Sequence, residues 1–234
     1  MRMQPAPVAR ALFASIVLAA CASAQPSPPA AAVRTLYLVR HGAYVSDPKA
    51  DPLVGPGLAP IGIAQARLVG ARLAGLPFHF DALFASPLTR ARETAQVVAA
   101  DLPGTHVEIV PDLEECTPPT WRKQVVADES PESLAACKTQ LDRVFASRFR
   151  PAEGAERREL LVCHGNVIRS LVTRALSVDS AAWLEMSIGH ASVTVVRVDP
   201  DGTFRVIAVG DVGHLPPNLQ TGASGNPERD LRIP

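Results

Sequence analysis

Short apolar runs separated by polar, proline- and glycine-rich stretches set the plan of this chain. Leu36–Val39, Ala82–Ala85, Val107–Val110 and Leu160–Cys163 are too short for helices and are bounded by breakers. Runs of that kind read as buried strands of a parallel sheet. The segments between them carry helical spacing instead. Pro60 opens a helix to about Leu76, with Ile61, Ala64, Leu68 and Ala71 on one face. Ser86-Pro87 opens a second, Leu88 to Asp101, with Ser86 as its expected cap. Ser130, with Ser133 three positions on, starts a third that runs to Arg148, and Val167–Leu176 makes a fourth. Pro111–Ser130 is expected to be irregular, since Pro118-Pro119 blocks regular structure. Ser192–Val198 and Phe204–Val209 flank Asp199-Pro200-Asp201-Gly202, a hairpin turn. Strands alternating with helices predict a three-layer α/β/α sandwich with a mostly parallel sheet. No internal repeat is visible.

The ends read differently from the middle. Residues 1–24 hold Arg2, Arg10 and the apolar stretch Ala11–Ala20, the pattern of a targeting segment. Leu18-Ala19-Ala20-Cys21 is similar to a bacterial lipobox, which would lipidate Cys21 and anchor the protein to a membrane. Ala22-Ser23-Ala24 before Gln25 offers an ordinary secretory cleavage site instead. Either one predicts an exported bacterial protein, periplasmic or a membrane-anchored lipoprotein. Residues 25–32 read as a flexible tether, 33–217 as one domain, and 218–234 as a loose tail. About 185 residues suffice for one well-buried core. The 23 basic and 23 acidic residues cancel and form no polybasic run, so nucleic acid is not expected as a partner. Beyond Cys21 there are three cysteines, none at zinc-ligand spacing. Cys163 falls in a buried strand. Cys116 and Cys137 are available to bridge each other or to remain thiols.

The candidate chemistry sits at two strand ends. Arg40-His41-Gly42 follows the first strand, and Cys163-His164-Gly165-Asn166 closes the later one. Open α/β sheets bind ligands at the carboxyl ends of their strands. Two histidines there, one beside an arginine, suggest a single anion-handling site.

Arg40-His41-Gly42 resembles the opening signature of the histidine phosphatase, or phosphoglycerate-mutase-like, superfamily. Ala85 to Ala95, with Arg90, is similar to that family's second block, and Val162 to Asn166 to its third. Leu113 to Pro118, Cys163 to Arg169 and Gly210 to Pro217 are closest in pattern to a mitochondrial branch of serine/threonine protein phosphatases. The resemblance implies the matching sandwich fold and a phosphomonoester hydrolase. It implies no cofactor and no metal. Its substrates would be a phosphorylated protein or a small phosphoester, and a homodimer is compatible with it.

The roles implied are these. His41 would take the phosphoryl group, its second ring nitrogen fixed by a hydrogen bond. Arg40 and Arg90 would clamp the phosphoryl oxygens with planar donor forks. His164 would donate to the phosphoryl group, in a charged form favoured by the anion. Gly42 and Gly165 would permit close backbone approach. Asn166 would contact phosphate or cap the following helix. Glu115 would protonate the leaving oxygen and then activate water, with Glu114 as the alternative. Arg92 and Arg169 read as solvent or ion-pair residues, and His190 and His214 as structural.

Three rival readings differ in chemistry. Cys163 and Arg169 stand at C-x5-R spacing, as in cysteine-dependent phosphatases, although Val167 and Ile168 suit a helix better than a phosphate loop. A small-molecule phosphatase and a non-catalytic phosphate-binding scaffold share the fold. The polar segment that mutases carry after the first motif is missing, which argues against mutase activity.

Overall fold

A computed structural model describes Met1 and residues 29–222. The main sheet and its helices follow in chain order: β1 (Arg34–Arg40), α1 (Pro60–Ala74), β2 (Ala82–Ala85), α2 (Thr89–Ala99), β3 (Val107–Ile109), α3 (Pro131–Arg148), β4 (Arg157–Cys163), α4 (Gly165–Ala175), β5 (Val193–Val198) and β6 (Phe204–Asp211). These strands form one sheet of order β3-β2-β4-β1-β5-β6. The first four are mutually parallel, and β5 and β6 add an antiparallel edge hairpin beside β1. The expected sandwich with a mostly parallel sheet is therefore the observed one. A separate antiparallel pair joins Ala31–Ala32 to Ala152–Glu153, so the end of the segment expected to be a flexible tether is strand, its backbone polar groups paired with the chain before β4.

The layers follow from the two-residue period of the strands. Leu36 and Leu38 of β1, with Leu161 and Cys163 of β4, pack on one face against Val167, Ile168 and Leu171 of α4 and Leu141 and Val144 of α3. Val39, Leu160 and Val162 point the other way, onto Val69 and Leu73 of α1 and Ala91, Ala95 and Val98 of α2. Truncating a buried leucine in such a layer costs about 2–5 kcal/mol.

Three local expectations change. β4 begins at Arg157 rather than Leu160, so the charged residues before the apolar run are strand. Glu159 is buried there because Arg34 on the neighbouring strand pairs with it at 2.5 Å. The paired charges are tolerated in the interior, where one alone would not be. Ser86 does not cap α2. Leu88 holds the cap position with no side-chain cap bond, and Ser86 turns toward the strand ends. Ser130, by contrast, accepts from the Ser133 N–H as expected. The loop 111–130 contains short 3-10 turns at Pro111–Leu113 and Lys123–Val125. Trp183 pins it by donating to the Pro119 carbonyl.

The tail expected to be loose from residue 218 is fixed as far as Gly222. Gln65 donates to the Leu219 carbonyl and to Thr221, and the His190 N–H donates to the Thr221 carbonyl. Residues 2–28, with Cys21 and the processing sites, and 223–234 lie outside the described residues.

Candidate active site

The parallel register of β1 and β4 sets Arg40 opposite Cys163. The next residue on each strand is a histidine, and the His41 N–H donates to the Cys163 carbonyl. The two rings therefore lie side by side, with centroids 5.0 Å apart. Both are buried, at 1% and 0% exposure.

The His41 ring is fixed by the carbonyl of the next residue. Its Nδ1 lies 2.8 Å from the Gly42 carbonyl, an acceptor only, so Nδ1 carries the proton. Nε2 is left as the lone-pair nitrogen, and Arg90 Nε donates to it at 3.2 Å. Burial, His164, Arg40 and Arg90 all push the His41 pKa far below the usual imidazole value. The ring is neutral at working pH, as a nucleophile requires.

Gly42 has a different task from the expected one. Its N–H is taken by Thr94 Oγ1, so it offers no donor to an anion. A Cβ on Gly42 would stand 2.5 Å from the Gly62 carbonyl, and one on Gly62 would stand 2.0 Å from the Ala43 carbonyl. The pair lets the end of β1 cross the first turn of α1 backbone to backbone. Gly165 does border the site, since a Cβ there would contact Arg40 and Arg169 at 3.5 Å.

The cationic groups come from three elements. Arg40 closes β1, Arg90 opens α2 and Arg169 lies on the second turn of α4. Arg40 Nη1 donates to the Ile188 and Gly222 carbonyls at 2.7 and 2.6 Å, and its Nη2 lies 3.1 Å from His190 Nε2. Its Nε is buried without a partner. Burial lowers the Arg40 pKa to about 10, so it stays charged at neutral pH. Arg90 lies 4.7 Å above the Tyr44 ring, a cation–π contact at the mouth of the site.

His164 Nε2 lies 2.7 Å from Ser86 Oγ, and its Nδ1 is buried without a partner. Burial and the two arginines hold its pKa far below the imidazole range. The charged form expected for His164 is thus disfavoured by the protein alone. Asn166 is not a cap either. His164 occupies the cap position, while Asn166 donates to the Cys116 carbonyl at 3.3 Å and accepts from Arg169.

The two candidate acids part company. Glu114 is exposed. Glu115 turns inward, its Oε1 sealed from solvent without a partner. Burial raises its pKa to about 7 against the opposing pull of Arg40 and Arg90, the Asn166 N–H and Arg169. A carboxyl at that value holds or releases a proton near neutrality.

Arg169 and His190 are site neighbours that the sequence reading set aside. Arg169 is 6% exposed, donates to the Met186 carbonyl and faces Glu115. His190 lies 5.5 Å from His41 between ring centroids, and burial lowers its pKa to about 3. β5 runs antiparallel to β1, so the residues before β5 meet the end of β1, a pairing that the hairpin alone does not reveal. His214 stays outside, between Arg72 and the Ala191 carbonyl.

Cys163 is fully buried in β4, and burial pushes its thiol pKa well above the usual range. A thiolate nucleophile there is disfavoured, which removes the C-x5-R reading. Cys116 and Cys137 form a disulfide. Among the described residues, no group of His, Cys, Asp and Glu is arranged to hold a metal ion.

The ends of β1 and β4, with α2, α4 and the loop after β3, gather histidines, three arginines and an inward-turned carboxyl into one cationic site of an α/β protein, chemistry suited to a multiply charged anion. Comparison with known proteins agrees. The model of the histidine phosphatase superfamily (branch 1) matches residues 36–211, and the chain belongs to that superfamily. It is 35% identical over 197 residues to the mitochondrial serine/threonine-protein phosphatase Pgam5 of Caenorhabditis elegans, and 31% identical over 197 residues to that of Homo sapiens. Those alignments take in 81% and 82% of this chain and 66% and 67% of the relatives, so the chain spans about two thirds of their length. Solved structures share the fold at lower identity. A phosphoglycerate mutase of Plasmodium falciparum aligns with a TM-score of 0.55 at 23% identity, covering 79% of this chain and 95% of its own. A phosphoserine phosphatase of Entamoeba histolytica, in complex with 3-phosphoglyceric acid, gives 0.56 at 21%, covering 78% and 100%.

The relatives correct one expectation. They are named as mitochondrial proteins of eukaryotes, which contradicts a periplasmic or lipid-anchored bacterial protein. The physical reason is that a short apolar stretch preceded by two arginines is a weak address. The first 46 residues carry no acidic side chain, and an arginine- and serine-bearing, acid-free leader also suits an organelle.

Proposed function

We propose that this protein hydrolyses phosphomonoesters through a phosphohistidine on His41, and that its substrates are phosphoserine and phosphothreonine in proteins. The observation that carries the reading is the state of His41: Nδ1 is committed to the Gly42 carbonyl, and Nε2 presents a neutral lone pair among Arg40, Arg90 and His164. The names of the relatives support the substrate class.

The chemistry follows from the charges. Arg40, Arg90 and Arg169 bring three positive charges to a phosphate dianion. They stabilise the charge that spreads over its equatorial oxygens during transfer. The Nε2 lone pair bonds to phosphorus as the ester P–O bond breaks. Glu115, protonated, gives its proton to the departing alkoxide. Glu115 then takes a proton from water, the water oxygen bonds to phosphorus, and the P–N bond returns its electrons to Nε2. His164 and Asn166 complete the wall of the pocket. The catalytic domain of this proposal runs from residue 33 through Gly222, because the Gly222 carbonyl holds Arg40.

The test is a rapid quench during turnover of a phosphoserine peptide. Wild type should yield a phosphoenzyme that is labile in acid and stable in alkali, and His41→Asn should yield none. An acid-stable adduct, or turnover by His41→Asn, would overturn the mechanism. Ranking kcat/KM for phosphopeptides against sugar phosphates and 3-phosphoglycerate decides the substrate class.

A further inference from the structure

Glu115 sits on a loop, and a loop is a poor place from which to aim an acid. The structure shows how this one is held. Leu113, 1% exposed, plugs the core just before it. Beyond that the loop is fastened to one face of α3 at three successive positions. Arg143 pairs with the Asp112 carboxylate, Gln140 Nε2 donates to the Asp112 and Glu114 carbonyls at 3.0 and 2.8 Å, and Cys137 is bonded to Cys116. Residues 137, 140 and 143 recur at the three-residue spacing that aligns side chains along a helix. The Cys116 carbonyl is tied from the other side by Asn166. Glu115 therefore lies between two clamped neighbours, with Gln140 on the carbonyl before it and the disulfide on the residue after it.

We infer that Cys116, Cys137 and Gln140 are positioning residues for Glu115, and that the aim of the acid depends on the oxidation state of the Cys116–Cys137 pair. The inference rests on the proposed role of Glu115 as proton donor. A dithiol reductant opens the bridge: it gives two electrons and two protons, leaves Cys116 and Cys137 as thiols and becomes a cyclic disulfide itself. The segment after Glu114 then keeps the Asn166 contact but loses its covalent hold on α3. Arg40, Arg90, Arg169 and the Asn166 N–H face the Glu115 carboxyl. None of them joins residues 115–116 to α3.

The consequence is selective. An alkoxide leaving group needs the proton from Glu115, whereas p-nitrophenolate, a weak base, leaves without it. kcat/KM reports the steps up to phosphoryl transfer to the enzyme. The experiment compares oxidised protein, dithiothreitol-treated protein, Cys116→Ala/Cys137→Ala and Gln140→Leu on a phosphoserine peptide and on p-nitrophenyl phosphate. The expected result is a fall of about tenfold or more in kcat/KM for the peptide on losing the bridge, a fraction of the general-acid contribution. Gln140→Leu should show a smaller loss in the same direction. kcat/KM for p-nitrophenyl phosphate should stay within about twofold throughout, which also reports that the pocket is folded. The decline of peptide kcat/KM above about pH 7, where Glu115 loses its proton, should flatten together with the loss in rate. Equal losses on both esters, or no loss on the peptide in any arm, would overturn the inference. Glu115→Gln in the oxidised protein separates the two levels. If it leaves peptide turnover intact, the role of Glu115 fails and the positioning claim falls with it. If it abolishes turnover while opening the bridge does nothing, only the positioning claim fails.

Discussion

Replacing Glu115 by Gln should make the protein more stable at alkaline pH than at acid pH, relative to wild type. The Glu115 pKa rises from 4.5 to about 7 on folding because the carboxyl loses water that Arg40 and Arg90 do not fully replace. Below pH 4.5 both the folded and the unfolded chain hold the proton. Between 4.5 and about 7 the unfolded chain releases it and the folded one does not. The native state then binds more protons, so stability falls as pH rises through that window and levels off above it. Each unit of displacement corresponds to about 1.4 kcal/mol, which makes the part of the loss falling between pH 5 and pH 8 about 2.5 kcal/mol. Glutamine has no proton to hold and removes this slope. His41, His164 and His190, with lowered pKa values, contribute the opposite trend as pH rises toward the imidazole value. They are common to both proteins and cancel in the difference. The assay is urea unfolding of wild type and Glu115→Gln at pH 5 and pH 8, in buffers without phosphate. The gap between the two midpoints should widen at pH 8 in favour of the variant, by about 1 M urea for ordinary slopes. A gap that stays constant, or widens at pH 5 instead, would refute the claim that Glu115 is desolvated and titrates near neutrality.

Other expectations follow from the same contacts. Arg90→Ala should lower kcat/KM by about 10²–10³, because it removes a donor aimed at developing charge and leaves the fold in place; steady-state kinetics beside a thermal melt checks this. Glu159→Ala should destabilise by about 3–5 kcal/mol, since it strands Arg34 in the interior, and a denaturant titration that finds less than about 1 kcal/mol would show the pair to be solvated. Cys163→Ala should keep full kcat while losing some stability; a dead but folded variant would revive a thiol mechanism. Activity should survive a chelator, and strict dependence on added divalent metal would contradict a pocket neutralised by arginines.

The parts of this structure legible in the sequence are those written in short-range pattern. The apolar runs at Leu36–Val39 and Leu160–Cys163 marked strands, and the histidine after each marked the end that binds. What escaped depends on pairing across the sheet. Arg157 to Glu159 read as a charged loop because their polarity is local, while the Arg34 that neutralises Glu159 lies 125 positions away. Ser86 looks like any serine before a helix, until β2 and β4 are set side by side and it meets His164. Arg169 and His190 read as bystanders for the same reason. Arg169 counts only once α4 is seen to start at the site, and His190 only once β5 is laid antiparallel to β1. Glu115 was separable from Glu114 by family likeness alone, since the turn at Pro111–Leu113 that aims one inward has no signature in an isolated Glu-Glu pair.

The glycine crossing between β1 and α1 has a consequence for how such a pocket can diversify. Main chain rests on main chain at Gly42 and Gly62, so the address of His41 is set by atoms every residue shares. Loops at the rim can be exchanged, lengthened or recharged to suit a new ester without disturbing it. At the crossing itself neither partner tolerates even one extra methyl group. Freedom at the rim and rigidity at the pivot are thus two outcomes of a single steric contact.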